Sequence, residues 1–109
     1  MIGARLYLLQ RLTALVMAPL VLGHIAIMIY AVQNGLSAGE ILGRTRGSPW
    51  WGAFYGLFVA AVSVHAAIGL RVVAYETLKL PERWLAPLTW AIGIGLALLG
   101  ARAVIAVVS

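Results

Sequence analysis

The chain has 109 residues, 63% hydrophobic and 10% charged, with no cysteine and a net charge of +5. Soluble domains carry about 45–50% apolar and about 25% charged residues, so this composition excludes an ordinary water-facing surface. It also excludes a disulfide framework, a thiolate metal site and a cysteine nucleophile, and the scattered Lys and Arg do not form the basic stripe of a nucleic-acid binder.

The first apolar run, Leu12 to Val32, carries no charged residue. It follows Arg5 and Arg11 and is too long for the apolar core of a signal peptide. About 20 such residues cross a bilayer as a helix, so a first span is expected over about 8–32. Pro19 lies inside it, removes one backbone hydrogen bond and is expected to kink the helix. Next comes Ser37-Ala38-Gly39-Glu40, the pattern of a capping box, with Glu40 at the third helical position. A short helix over Ala38–Arg44, lying on the outer surface, is expected.

Gly47 to Leu70 and Trp84 to Ala101 are also free of charge. They predict second and third spans over about 50–73 and 84–107. The fold class is therefore all-α: a three-helix transmembrane bundle forming one domain over 1–109. Gly93, Ala97, Gly100 and Ala103 recur along the third span at a spacing that permits close helix contact; general enrichment of Gly and Ala in membrane helices is the alternative.

Orientation follows from the basic residues. Arg5, Arg11, Arg71, Lys79 and Arg83 fall on one side of the membrane, and Arg44, Arg46 and Arg102 on the other. Cytoplasmic loops carry the excess of Lys and Arg, so the N-terminus is expected inside. Trp50, Trp51, Trp84, Tyr30 and Tyr75 lie near span ends, where amphipathic rings prefer the headgroup level.

His24 and His65 are the only ionisable groups well inside the first two spans. Such groups are costly in hydrocarbon and mark functional sites by default. Neutral imidazole is also a common haem-iron ligand. Counted from the span centres, His24 lies about 7 Å to the outer side and His65 about 6 Å to the inner side. Two axial ligands of one iron stand only about 4 Å apart. One chain's two histidines therefore do not share a haem, and each needs a partner from another chain unless it is no ligand. Ala61 and Gly69 share the helix face of His65 and are expected to leave room there for a flat macrocycle. Met17 and Met28 are read as apolar filling.

At this point the residues resemble a known family. His65-Ala66-Ala67-Ile68-Gly69-Leu70-Arg71, followed by Glu76, resembles the second helix of the membrane-anchor cytochrome b subunits of succinate dehydrogenase and fumarate reductase. Gln10-Arg11-Leu12-Thr13-Ala14 resembles the family's Arg-x-Ser/Thr element at the inner surface. The resemblance covers nearly the whole chain. It implies an anchor in the inner (cytoplasmic) membrane, with a flavoprotein and an iron–sulfur subunit docked on its inner face. It further implies a b-type haem between the helices of two anchor chains, homologous or identical, or of one five-helix chain.

By that resemblance His65 is a haem ligand, and Arg11 and Thr13 line the region of the quinone and the propionates. Tyr75 and Glu76 stand for the family's post-helix acid and Tyr, in reversed order here. Gln10 stands where the family often has Ser or His. The substrate implied is ubiquinone or menaquinone, whose carbonyls need hydrogen-bond donors and which needs protons on reduction. Arg11, Thr13 and Gln10 at the end of the first span, with Arg71, Tyr75 and Glu76 at the end of the second, suit that need. For Arg11 and Arg71 positive-inside anchoring is the plain alternative, and for Tyr75 an interfacial anchor. The presence of His24 resembles the two-haem members, in which the first helix supplies a ligand at a second depth. Arg44 and Arg46 on the outer connection would face that haem's propionates, as Arg11 and Arg71 would on the inner side, although solvated loop charges are the alternative for the outer pair.

Two other readings stand beside this one: a haem b anchor of another membrane dehydrogenase, and a haem-free structural anchor. On its own the chain is expected to be non-catalytic. It has no acid pair, nucleophile–base pair or cluster of metal ligands.

Overall fold

In hydrocarbon every backbone N–H and C=O must be paired within its own segment, which leaves the α-helix as the only form for an isolated span. The computed structural model describes residues 3–109, and among them all regular structure is α-helical; residues 1 and 2 of the expected 1–109 unit lie outside the described residues. The elements are α1 (Ala4–Asn34), α2 (Ala38–Thr45), α3 (Pro49–Leu78) and α4 (Glu82–Val108). Three of them are long and apolar enough to cross a membrane, which makes this a multi-pass membrane protein.

The helices overrun the apolar stretches at both ends. The described chain is 48 Å long, against a hydrocarbon core of about 30 Å. α1 starts at Ala4 and runs unbroken through Pro19. α3 carries Arg71, Tyr75 and Glu76 inside its last turns and stops only at Leu78. Polar residues such as Arg and Glu are good helix formers, so a helix has no reason to end where hydrocarbon does. The α3–α4 connection is consequently three residues, 79–81, rather than the longer loop the apolar runs suggest.

Local signals mark the ends. Ser37 Oγ accepts from the Glu40 amide at 3.1 Å and donates to its carboxylate at 2.7 Å, so the short helix starts where the capping box expects. Gly35 before it has φ +133°, and a β-carbon there would overlap the Glu40 carboxylate. Ser48 caps α3 by accepting from Trp51 N at 3.3 Å, and Pro49 opens the helix, where its missing N–H costs nothing. α3 ends with Lys79 in the left-handed region, φ 56°, and Leu80 N donates to Ala74 O.

α3 is the centre of the bundle, with α1 packed on one side and α4 on the other. Packing relies on small residues, as expected where lipid tails compete equally for apolar side chains. Ala31, Ala61, Ala67, Ala74, Ile68 and Leu85 are buried, whereas Leu15 is 72% exposed and Leu22 68%. The exposed leucines form the lipid-facing side. Of the small residues expected at a close contact, Gly100 faces Val59 so tightly that a β-carbon would overlap its methyls, and Gly93 faces Ala67. Ala103 is exposed.

The end of the bundle that carries α2 is tied by hydrogen bonds to the last carbonyls of α4, which have no partner within that helix. Thr45 Oγ1 donates to Val107 O, Gly47 N to Val108 O at 2.6 Å, and Arg46 Nε to Ser109 O at 3.2 Å.

Candidate functional site

α1 and α3 run antiparallel, and their contact brings Gln10, Thr13, His65 and Gly69 together toward the end of the bundle that carries the 79–81 turn. Thr13 is buried. Its hydroxyl lies 2.9 Å from Leu9 O, 3.0 Å from Gln10 O and 3.2 Å from His65 Nδ1. The half-buried imidazole of His65 is thus held across two helices by one hydroxyl. Gly69, one turn beyond His65, admits the Gln10 side chain. A β-carbon at Gly69 would stand 3.4 Å from Gln10 Nε2. The space over Gly69 that the sequence suggests for a macrocycle is therefore filled by Gln10, and Ala61 is itself buried in helix packing. Gln10 Oε1 is buried without a hydrogen-bond partner. Such an acceptor is expensive to leave unmet.

The remaining residues expected at this end are not drawn into the cluster. Arg11 is exposed on α1, with Nη1 3.4 Å from Tyr7 OH and the guanidinium 5.7 Å from the Tyr7 ring centre. Arg71 turns to the other side of α3, toward α4. It donates to Glu82 Oε1 at 3.1 Å and to Thr89 Oγ1 at 3.4 Å, while its Nε is buried without a partner. Tyr75 and Glu76 are exposed on the last turns of α3.

His24 has different surroundings. Its ring meets Phe58 edge-on at 5.2 Å and Tyr55 at 6.3 Å, at the end of an aromatic cluster that continues through Phe54 and Trp51. Gly23 beside it lets α1 approach, since a β-carbon there would sit 3.3 Å from the Phe54 ring. Among the described residues no side chain hydrogen-bonds the His24 ring. Arg44 closes this end: it donates to Gly35 O at 3.0 Å and lies 5.3 Å from the Tyr30 ring centre. Arg46, as noted, holds the end of α4.

The register gives the separation of the two histidines along the membrane normal. His65 lies level with Thr13, and His24 is eleven residues further along α1. At 1.5 Å per residue that is about 16 Å, too far for both rings to reach one iron.

Glu82, Thr89, Tyr55 and Phe58 were not singled out by sequence reasoning. Glu82 carried one usable signal, an acid opening the third span, but its distance from Arg71 depends on the left-handed turn at Lys79.

A polar cluster in the contact of two apolar helices of membrane-spanning length belongs to a multi-pass membrane protein. The family model for the succinate dehydrogenase/fumarate reductase transmembrane subunit matches residues 1–102; the chain belongs to that family. It is 34% identical over 71 residues to the succinate dehydrogenase hydrophobic membrane anchor subunit of Archaeoglobus fulgidus, over 65% of this chain and 60% of the relative. The match thus spans about three-fifths of that relative's length. No solved structure matches the chain.

Proposed function

We propose that this chain is the non-catalytic cytochrome b anchor of a succinate:quinone oxidoreductase, working as succinate dehydrogenase or fumarate reductase in the inner (cytoplasmic) membrane. The end bearing the 79–81 turn faces inward and receives a flavoprotein and an iron–sulfur subunit. His65 holds haem b, and Gln10, Arg11 and Thr13 with Tyr75 or Glu76 form this chain's part of a site for ubiquinone or menaquinone.

The observation that carries the reading is the Thr13–His65 contact beside the unmet Gln10 acceptor, a polar cluster in an otherwise apolar interface. Its donor chemistry fits a haem: an imidazole with one nitrogen engaged by the protein offers the other to iron. When bound, the haem supplies reversible one-electron storage between the iron–sulfur donor and the quinone. A haem held by His65 would lie outside the chain's own α1–α3 packing, against a second anchor chain, homologous or identical, that would supply a further ligand. Gln10 Oε1, which only accepts, suits the hydroxyl of a reduced quinone, and the exposed Arg11 suits a carbonyl or a propionate.

His24 is read as the ligand of a second haem toward the opposite face, paired with a histidine of the second chain. The support is its depth: it stands about 16 Å from His65 along the helix axis, so a second ligand site would have to lie at a different level. Arg44 and Arg46 would serve that haem's propionates only by exchanging their present backbone partners.

The test is the purified complex: haem per chain, and succinate:quinone activity beside succinate oxidation by a soluble dye. Arg11→Leu should lower the first activity and spare the second. A normal rate and Michaelis constant for quinone would leave Arg11 as an anchor alone.

A further inference from the structure

We infer that Thr13 is a positioning residue for His65: its hydroxyl accepts the Nδ1 proton, fixes the tautomer and the ring plane, and leaves the Nε2 lone pair for a metal. The inference rests on the reading of His65 as a haem ligand.

A hydroxyl carries one proton and two lone pairs. The Thr13 Oγ1 lies within 2.9 Å of the Leu9 carbonyl and 3.0 Å of the Gln10 carbonyl, and carbonyls only accept. Its proton is directed to that pair, as is usual for a threonine inside a helix. With its proton on that pair, a lone pair faces His65 Nδ1 at 3.2 Å, and Nδ1 is then the protonated nitrogen. Neutral imidazole has one protonated and one bare nitrogen, so the bare one is Nε2. Thr13 is buried and its hydroxyl lies against two backbone carbonyls, so the acceptor does not wander. A histidine on a span with only apolar neighbours would sample both tautomers and turn about its side-chain bonds. Here α1 removes that freedom for a residue of α3.

A hydrogen bond from Nδ1–H makes the imidazole a stronger electron donor. Bound to iron, such a ligand favours the oxidised state and lowers the midpoint potential. Removing the acceptor should therefore raise the potential and weaken haem retention, by about tenfold for a supporting contact of this kind.

The experiment uses the purified complex, comparing wild type with His65→Ala, Thr13→Val and Thr13→Ser. Haem content and the redox titration of the haem are read for each. Thr13→Val keeps the shape and removes the hydroxyl; Thr13→Ser restores it. The expected result is haem in the wild type, its loss in His65→Ala, a raised potential with reduced retention in Thr13→Val, and recovery in Thr13→Ser. A Thr13→Val complex with wild-type potential and retention would overturn the inference while leaving His65 a ligand. So would a Thr13→Ser variant shifted as far as Thr13→Val, because packing would then be the cause. Wild type without haem, or haem indifferent to His65→Ala, would overturn the haem reading itself. Should Thr13→Val fail to assemble, 1H–15N spectra of the histidine-labelled wild type in the reduced, diamagnetic state decide: an Nδ1–H on His65 with the downfield shift and slow exchange of a hydrogen-bonded proton supports the inference, and one that exchanges as an unbonded N–H defeats it.

Discussion

The two ends of the α1–α3 contact are built from opposite chemistries. At the end near the 79–81 turn, His65 is gripped by a hydroxyl, with a carboxamide beside it. At the α2 end, His24 lies among the edges of Phe58 and Tyr55. Aromatic edges hold a ring by contact and quadrupole, but they neither select a tautomer nor direct a proton. The first histidine has one ring nitrogen engaged by the protein. The second has its position fixed while its two nitrogens are uncommitted. One pair of helices thus holds one histidine by a hydroxyl and the other by aromatic edges alone.

The glycines offer the largest way to break this comparison. Gly100→Ala places a methyl against Val59, where side chain meets side chain with no room, and should destabilise the bundle by about 1–3 kcal/mol. Gly69→Ala meets only the flexible amide of Gln10 at 3.4 Å and should cost less. Thermal inactivation of the two variants in the same detergent checks the order, and equal losses would mean that the α1–α3 and α3–α4 contacts are alike in tightness.

Next in size is Gln10→Leu. If Gln10 Oε1 receives a quinol hydroxyl, losing it should raise the Michaelis constant for quinol in fumarate reduction by about tenfold, the equivalent of about 1.4 kcal/mol, without slowing succinate oxidation by a soluble dye. An unchanged constant would return Gln10 to a packing role. Ser37→Ala removes the cap of α2 and should cost about 1 kcal/mol, seen as faster proteolysis of the α1–α3 connection with haem at His65 untouched. Smallest is Glu82→Gln. Arg71 is nearly buried, but Glu82 is 67% exposed, and a pair with one member in water contributes below about 1 kcal/mol. A larger loss would point to a more buried role for Arg71 in the assembled complex.

Much of this was legible in the sequence for plain reasons. Charge-free runs as long as Leu12–Val32 have one backbone solution in lipid, and Ser37 with Glu40 announces the start of α2. Helix ends were less legible, because Arg71 and Glu76 continue a helix as readily as they would leave it. Contacts between helices depend on register, which side-chain identity alone does not state. Thr13 and His65 were both visible as candidates, but nothing in either residue says that they meet. Arg71 was expected among the groups near His65 and turned instead to α4. The short turn into α4 passes through the left-handed Lys79, a conformation that usually calls for glycine, so the sequence carried no mark of where α4 would pack. The crowding around His24 escaped notice because Tyr55 and Phe58 read as ordinary apolar filling of a span.

The central claim is that the end near the 79–81 turn is the haem end and that His65 is its ligand. The direct measurement is haem per chain with the reduced-minus-oxidised spectrum of the purified complex, taken for wild type, His65→Ala and His24→Ala together. The account predicts that His65→Ala abolishes a b-type signal that His24→Ala leaves in place, His24→Ala removing at most a second, separate haem. A His65→Ala complex with unchanged haem content and midpoint potential would contradict it.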